Sequence, residues 1–518
     1  MKANRRRIAF CLALALLLSL LAACSGSDGS GDGGGETEEK HFVFASNNGV
    51  DSLDAGYWYG GWYAMEYGIL ETLFRLDDEL QPQPWLAESG AMIDEYTWEI
   101  VVRDGITFSN GTALTGQAVV DALDYNRQNN ELVAQPIREG ELTAQGQTVT
   151  IRTQTPAPTM LYDLADTFCC IMDVHSGTDF NSTPIGTGPF VVDEFRPKDI
   201  VRLHRNETYW DGPSALDTVE VRTIMDDDTL AMSVQSGEVD ACRGLTYESV
   251  QLFEGNDNYV IDRVSTPRII MAYLNFHNEH LSNAAFRQAL ALAVDKQSFC
   301  DDLLAGAAQP AIGLFPDTLP YGGQNLTAPA PDLDEARALL EQAGYDWDDQ
   351  GNLVKGGERI SLRIISTISQ AEIPVLAEGL GTRLGELGIG CEVISAGDNS
   401  PTVMVTDDFD IGFYSRLTAP NGDPYAMLDS TYRSGGYANY GHYENAQVDQ
   451  LLDQLYVEFD QDRRTQLAVE IQQIALEENA VLPICFLDAN MAGQSNVTGL
   501  ITHPTEYYMI TNQIDLEQ

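Results

Sequence analysis

From His41 to the end of the 518-residue chain, strand-like and helix-like patterns alternate, and this alternation constrains the fold more than any single motif. Strands and helices taken in turn build an α/β protein, with helices covering the faces of a sheet. His41–Ser46 (HFVFAS) reads as the opening strand. Residues 96–102 (YTWEIVV) interleave aromatic and β-branched residues and end at the turn Arg103-Asp104-Gly105. TVTIRT at 148–153 is a further strand, closed by the breakers Pro156 and Pro158, and residues 189–192 and 219–222 continue the pattern. The second half is more helical. After a strand at 273–276, Ser282 is expected to cap a helix carrying Phe286, Leu290 and Val294, with Gly306 as its stop. Asp332 and Glu335 form a capping box ahead of Ala336, Leu339 and Leu340, and Gly344 ends that helix. Residues 446–478 hold two helices broken near Asp460, and strand-like sequence returns from Leu482. A body this long exceeds one ordinary core and predicts two or three lobes.

The N-terminus is of another kind. Lys2, Arg5, Arg6 and Arg7 precede an apolar run from Ile8 to Ala23. That run is short of the roughly 20 residues of a membrane-spanning helix and has the layout of an export signal. It ends in Leu21-Ala22-Ala23-Cys24, which resembles the lipobox of bacterial lipoproteins. The resemblance implies a signal peptide over 1–23, a diacylglyceryl group on the Cys24 thiol, and attachment to the outer face of the cell membrane. Residues 25–40 are rich in Gly, Ser and acid and hold no large apolar side chain, so 24–40 is expected to be a lipidated flexible linker. Removal of the signal takes four of the 29 Lys and Arg and none of the 78 acids, leaving the body more negative than the whole chain's −49. Such a charge excludes nucleic acid as a partner. The other body cysteines, Cys169, Cys170, Cys242, Cys300, Cys391 and Cys485, lack zinc-site spacing; the adjacent pair is expected as buried free thiols on a strand.

Several separated motifs follow one another through the body: LAESG at 86–90, YTWEIVVRDGITFSNGTALTGQAVVDAL at 96–123, PIGTGPFVVDEF at 184–195, RNETYWDG at 205–212, LAMSVQSGEVDA at 230–241, FRQALALAVDKQSF at 286–299 and DLDEARALLEQAGY at 332–345. In these the chain resembles the extracytoplasmic solute-binding proteins, family 5, of ABC importers, which handle oligopeptides, dipeptides and nickel complexes. The resemblance implies the type II periplasmic-binding-protein fold: two α/β lobes joined by a hinge, with lobe I over 41–268 and 486–518, a subdomain inserted at 75–179, and lobe II over 269–485. It implies a small peptide or nickel chelate enclosed between the lobes, an ABC permease as partner, a monomer, and no cofactor. PIGTGPF lacks the Lys-Ser/Thr tail of a phosphate loop. No G-x-S-x-G or H-E-x-x-H motif is present, so no enzyme is expected. An extracellular peptide sensor, closing in the same way without transport, is the alternative.

Trp58, Tyr59, Trp62 and Tyr63 cluster in GYWYGGWY, read as a Gly-containing loop whose aromatics line the cleft, with packing as the plainer reading. Tyr414 and Arg416 head the segment 414–424; Arg416 reads either as a partner for a ligand carboxylate or as half of a surface salt bridge. Peptide-binding members carry an aspartate for the ligand ammonium where this chain has Pro420. The nickel branch resembles it in FSNG at 108–111, NRQ at 126–128, Ala419-Pro420 before Asp423-Pro424, NVTGL at 496–500 and HPTEYY at 503–508. Its arginine falls on Asn129, and its histidine falls near Gly435 and Gly436, with His442 the nearest candidate. His503 reads as a satisfied structural histidine.

Overall fold

Two long strands, Tyr259–Leu274 and Val481–Gln494, run side by side through the middle of the molecule and organise everything around them. The structure, a computed structural model, describes residues 39–368, 370–397 and 400–517; the export signal, Cys24 and the linker up to residue 38 lie outside the described residues. Among the described residues the long strands are central to one sheet of 11 strands. On one side follow Ala241–Arg243, His41–Ser46, Thr218–Thr223, Ile200–Arg205 and Phe190–Arg196; on the other follow Ile411–Leu417, Ser361–Ser366 and Gly390–Ser395. His41–Ser46 is parallel to both its neighbours, as is Ser361–Ser366 to its own, which requires the helical crossovers that the alternating sequence supplies.

The period of two along these strands sorts side chains into separate cores. Ile270, Ala272 and Leu274 enter a cluster with Phe286, Leu290, Leu340 and Leu380, whereas Ile269, Met271 and Tyr273 enter another with Leu452, Leu467 and Ile471. Likewise Phe42 and Phe44 face one core and Val43 and Ala45 the opposite one. Each fully buried side chain of this size contributes roughly 1.5–3 kcal/mol. A second, four-stranded antiparallel sheet, ordered Ala87–Asp94, Thr97–Val102, Thr148–Arg152, Glu141–Gln145, has its own core, in which Ile100 and Ile151 meet Val119 and Leu123 of the helix Gly116–Asn129.

The pairing of the long strands is irregular at two places. At the smaller, Ile270 opposes Cys485 and Met271 opposes Pro483, leaving Ile484 unmatched. At the larger, Ser265 opposes Asp488 and Ile269 opposes Phe486, so three residues, Thr266, Pro267 and Arg268, face Leu487 alone. Pro267 has no N–H to lend the ladder; its carbonyl instead accepts from the backbone and hydroxyl of Thr418, at 2.8 and 3.0 Å. The sequence pattern had shown only the end of this strand, because proline in a run reads as its limit.

Local signals held in detail at several helices. Asp332 accepts from the backbone N–H groups of Asp334 and Glu335, a cap that stabilises the helix Leu333–Gln342 by about 1 kcal/mol. Gly344 follows with φ +81°. The helices Ala446–Val457 and Gln461–Glu477 are separated by Asp460, which caps the second through the N–H of Arg463. Ser282 is not a cap: its hydroxyl donates to Glu279, and Asn283, whose carbonyl oxygen reaches two N–H groups, caps Ala284–Ala293. Cys169 and Cys170 are buried free thiols, but they belong to a turn around the short 3₁₀ helix Thr167–Cys169 and not to a strand. The remaining four body cysteines are free as well. No helix among the described residues is long and apolar enough to cross a membrane.

Candidate ligand-binding cleft

The motif GYWYGGWY is not wholly a loop: its second half starts the helix Gly60–Glu66. The reason is steric. A Cβ on Gly60 would lie 2.1 Å from the carbonyl of Asp54, and one on Gly61 would lie 2.2 Å from the carbonyl of Thr167. Two glycines therefore let the helix start pressed against the 166–169 turn. That contact stacks the aromatics. Tyr59 lies edge-on to Trp62 at 6.0 Å and 5.8 Å from Phe168, and Trp62 lies edge-on to Tyr507 at 5.0 Å. Tyr59 remains about half exposed, and Trp58, at φ +40° with 55 % exposure, is the most open ring of the motif. Tyr63 packs with Trp62 against the core of Phe42 and Phe44, and burial and Glu66 push its hydroxyl pKa up.

A second wall faces this one from the strand Ile411–Leu417. Its residues Tyr414 and Arg416 pair with Met271 and Ile269 and so share a sheet face with Tyr273. Arg416 is half-buried. Its guanidinium donates to the Thr431 hydroxyl at 3.1 Å and to the Ser430 and Tyr437 hydroxyls at 3.2 Å, and it lies 5.8 Å from the centre of the Tyr437 ring. Tyr440 closes the group, 5.1 Å from Tyr273 and 6.3 Å from Tyr414. Among the described residues no carboxylate lies within ion-pairing distance of Arg416, so the surface salt bridge is not formed. Burial opposes its charge, but the surrounding Tyr273 and Tyr437 outweigh it and hold the guanidinium above its ordinary pKa. Beside it the Oγ of Ser415 is buried with no hydrogen-bond partner, as is Nε1 of Trp62 in the first wall.

The walls sense each other. Burial, then Tyr414 and Tyr437, push the Tyr59 hydroxyl up, and Arg416 pulls it down. An acid is also near: Asp166 accepts from the Phe168 N–H at 3.2 Å, and burial pushes its carboxyl up to about 6. Direct contacts join the surroundings of the four-stranded sheet to the part of the molecule that carries the second wall. Asn421 donates to Asp163 at 3.2 Å, Thr155 and Tyr456 share a hydroxyl contact of 3.0 Å, and Leu80 packs in the cluster of Met271 and Leu452. Burial pushes Asp163 up to about 7.

The other sequence positions divide. Pro420 is half-buried beside Asn421, and Asp423 is consumed by a buried ion pair with Arg464, whose guanidinium also donates to the carbonyls of Leu455 and Glu458. Asn129 is exposed and returns to the carbonyl of Tyr125. His442 pairs with Asp407 and does not join Arg416. His503 is buried against Tyr508, its Nδ1 2.7 Å from the Thr505 hydroxyl, and burial lowers it to about 4. Sequence reasoning missed Phe168, Tyr437, Tyr440 and Tyr507; the rule that selected GYWYGGWY, aromatics on Gly-rich sequence, also selects GGYANY at 435–440. Below the first wall lies a buried network: Arg243 pairs with Glu66 at 3.2 Å and with Glu506 at 2.5 Å, and Glu506 also accepts from Arg268 at 2.9 Å.

Comparison with known proteins agrees with this architecture. The model of the bacterial extracellular solute-binding proteins, family 5 (middle region), matches residues 81–439. The nickel-binding protein NikA of Staphylococcus aureus is 26 % identical over 455 residues, 88 % of this chain and 90 % of that protein. The glutathione-binding protein GsiB of Escherichia coli K12 is 26 % identical over 469 residues, 85 % and 88 % of the two chains. The crystal structure of a nickel ABC transporter protein from Bacillus halodurans superposes with a TM-score of 0.78 at 29 % identity, over 92 % of this chain and all of the other. The chain therefore belongs to the bacterial extracellular solute-binding proteins of family 5, with their type II periplasmic-binding fold, and is a binding component of ABC importers rather than an enzyme.

Proposed function

We propose that this protein captures a small carboxylate-bearing solute, a short peptide or a nickel chelate, between its two halves and delivers it to a membrane permease. The halves are residues 41–268 with 486–518, carrying the insertion 75–179, and residues 269–485. Arg416 is the observation that carries the reading: a half-buried cation among tyrosines and hydroxyls, with no acid to neutralise it, is a preformed seat for a carboxylate. Asp166, across Tyr59 from it, offers the opposite charge, so the pair matches a zwitterion. Ni(L-His)2 in NikA of Staphylococcus aureus, glutathione for GsiB of Escherichia coli and the peptide STSA in DppA of Helicobacter pylori all fit that chemistry. Trp58, Tyr59 and Trp62 supply the apolar wall, with Tyr63 beneath them.

The test is native mass spectrometry and calorimetry of the full chain with Ni(II) plus L-histidine, glutathione and a short-peptide pool. One class is expected to bind, and Arg416→Met to weaken it by about 2 kcal/mol or more, roughly thirtyfold. Unchanged affinity in that variant rejects the site. Leu21-Ala22-Ala23-Cys24 places the protein on the membrane through a lipid on Cys24; Cys24→Ser is expected to shift it from the membrane fraction to the medium, and no shift rejects the anchor.

A further inference from the structure

On the outer end of the half opposite His41, three side chains from distant parts of the sequence converge on one point. His277 follows the long strand Tyr259–Leu274, Asp407 lies in the turn before Ile411–Leu417, and His442 precedes the helix Ala446–Val457. Nδ1 of His277 is 3.0 Å from one oxygen of Asp407, and Nε2 of His442 is 3.1 Å from the other. The two imidazoles stack, 4.0 Å apart and 13° from parallel, and all three ligand atoms lie within 4.8 Å of one another. We propose that His277, Asp407 and His442 form a site for a divalent transition-metal ion, separate from the ligand cleft.

The spacing suits a metal. Bonds of roughly 2.0–2.1 Å to nitrogen and oxygen in a tetrahedron put neighbouring ligand atoms about 3.3 Å apart, close to the two contacts observed. Two imidazoles and one carboxylate favour Zn²⁺, Ni²⁺ or Cu²⁺ over Mg²⁺ and Ca²⁺, which seek oxygen alone. The surroundings orient the ligands. Buried Asn275 donates to Asp407 at 2.8 Å and to the Phe409 carbonyl at 2.9 Å, while its own carbonyl accepts the N–H of His277 at 2.9 Å. One side chain thus fixes two of the three ligand-bearing segments, as groups behind a metal site do. Asp407 and His442 both hold left-handed backbone, φ +63° and +59°, a conformation L side chains rarely adopt. All three residues keep solvent access, so a remaining coordination position is open to water. Ile269, opposite Arg416, and Leu274 are five residues apart on one strand, about 17 Å, and His277 lies beyond, so the three ligands are set apart from Arg416, with His442 two residues past Tyr440 at the edge of the second wall.

The test is titration of the full chain with ZnCl₂ alone, in about 10 mM MgCl₂ to occupy unspecific acidic sites. One Zn²⁺ per chain is expected. Asp407→Asn and His442→Ala are expected to weaken it by roughly tenfold or more, His442→Cys to retain it, and Arg416→Met to leave it unchanged. On the unaltered chain, Zn²⁺ is expected to protect His277 and His442 from diethyl pyrocarbonate while exposed His175 and His204 stay reactive. The proposal is overturned if Mg²⁺ displaces the zinc, if the Asp407 and His442 variants bind it as tightly as before, or if His277 and His442 label equally with and without zinc. This last measurement needs no variant to fold.

Discussion

Arg464 and Arg416 are both drawn out of water in the same half of the molecule, yet their surroundings are opposite. Arg464, 2 % exposed, meets the carboxylate of Asp423 and two backbone carbonyls. Arg416 meets only neutral hydroxyls and ring faces and keeps part of its surface open toward Tyr59. The first is compensated by the fold; the second has no counter-charge, and on that ground it is the proposed seat of a ligand carboxylate. The same contrast holds near the first wall, where Arg243 has two glutamates. Guanidinium burial alone therefore does not identify a binding residue. What identifies it is the missing counter-charge.

The largest effect that would break the comparison is on the compensated side. Asp423→Asn strands Arg464 in the core and is expected to lower unfolding free energy by about 3–5 kcal/mol in a denaturant titration. The double replacement Asp423→Leu with Arg464→Met is expected to recover most of it, because no buried charge is then left alone. If the single change costs nothing, Arg464 is not held as described.

A smaller effect comes from Asp163, whose contact with Asn421 bridges the halves. Its folded pKa of about 7 stands above the ordinary carboxyl value, as does that of Asp166 at about 6, so the native state holds these protons more tightly than the unfolded chain. Their stabilisation is complete below the unfolded value of roughly 3.9 and fades as pH climbs through about 6 to 7. Unfolding free energy is accordingly expected to fall from pH 4 to pH 7, and Asp163→Asn to flatten that slope. A slope unchanged in Asp163→Asn removes Asp163 from the account.

The smallest effect is the most telling for Arg416. Arg416→Met is expected to change melting temperature little, since no carboxylate is orphaned, while ligand affinity collapses. Trp58→Ala is expected to behave likewise: its ring is exposed, so stability within about 0.5 kcal/mol of the parent with weakened ligand binding marks a wall of the site. A large stability loss in either one makes it a core residue instead.

Local features were legible in the sequence where their cause was local. His41–Ser46, the Asp332 and Asp460 caps and the stop at Gly344 depend on neighbours within a few residues. The long strand through Pro267 was not legible, because what sustains it there is Thr418, 151 residues away. Arg416 was visible as a candidate, but its lack of an acid depends on packing by Tyr437 and Tyr440. His277 and Asp407, 130 residues apart, carry no pattern that links them before the chain folds.

The register of the two long strands has a mechanical consequence. Along Tyr259–Leu274 alternate residues belong to different cores, so a slip of one position would send Ile269, Met271 and Tyr273 to the wrong side. The two strands are thereby locked against sliding past each other. Where Thr266, Pro267 and Arg268 oppose Leu487 the ladder between the two strands is interrupted, and the Thr266 hydroxyl donates to the Leu487 carbonyl in its place, at 2.8 Å. The sheet thus resembles a leaf spring, stiff along its regular pairing and compliant at the two irregular places.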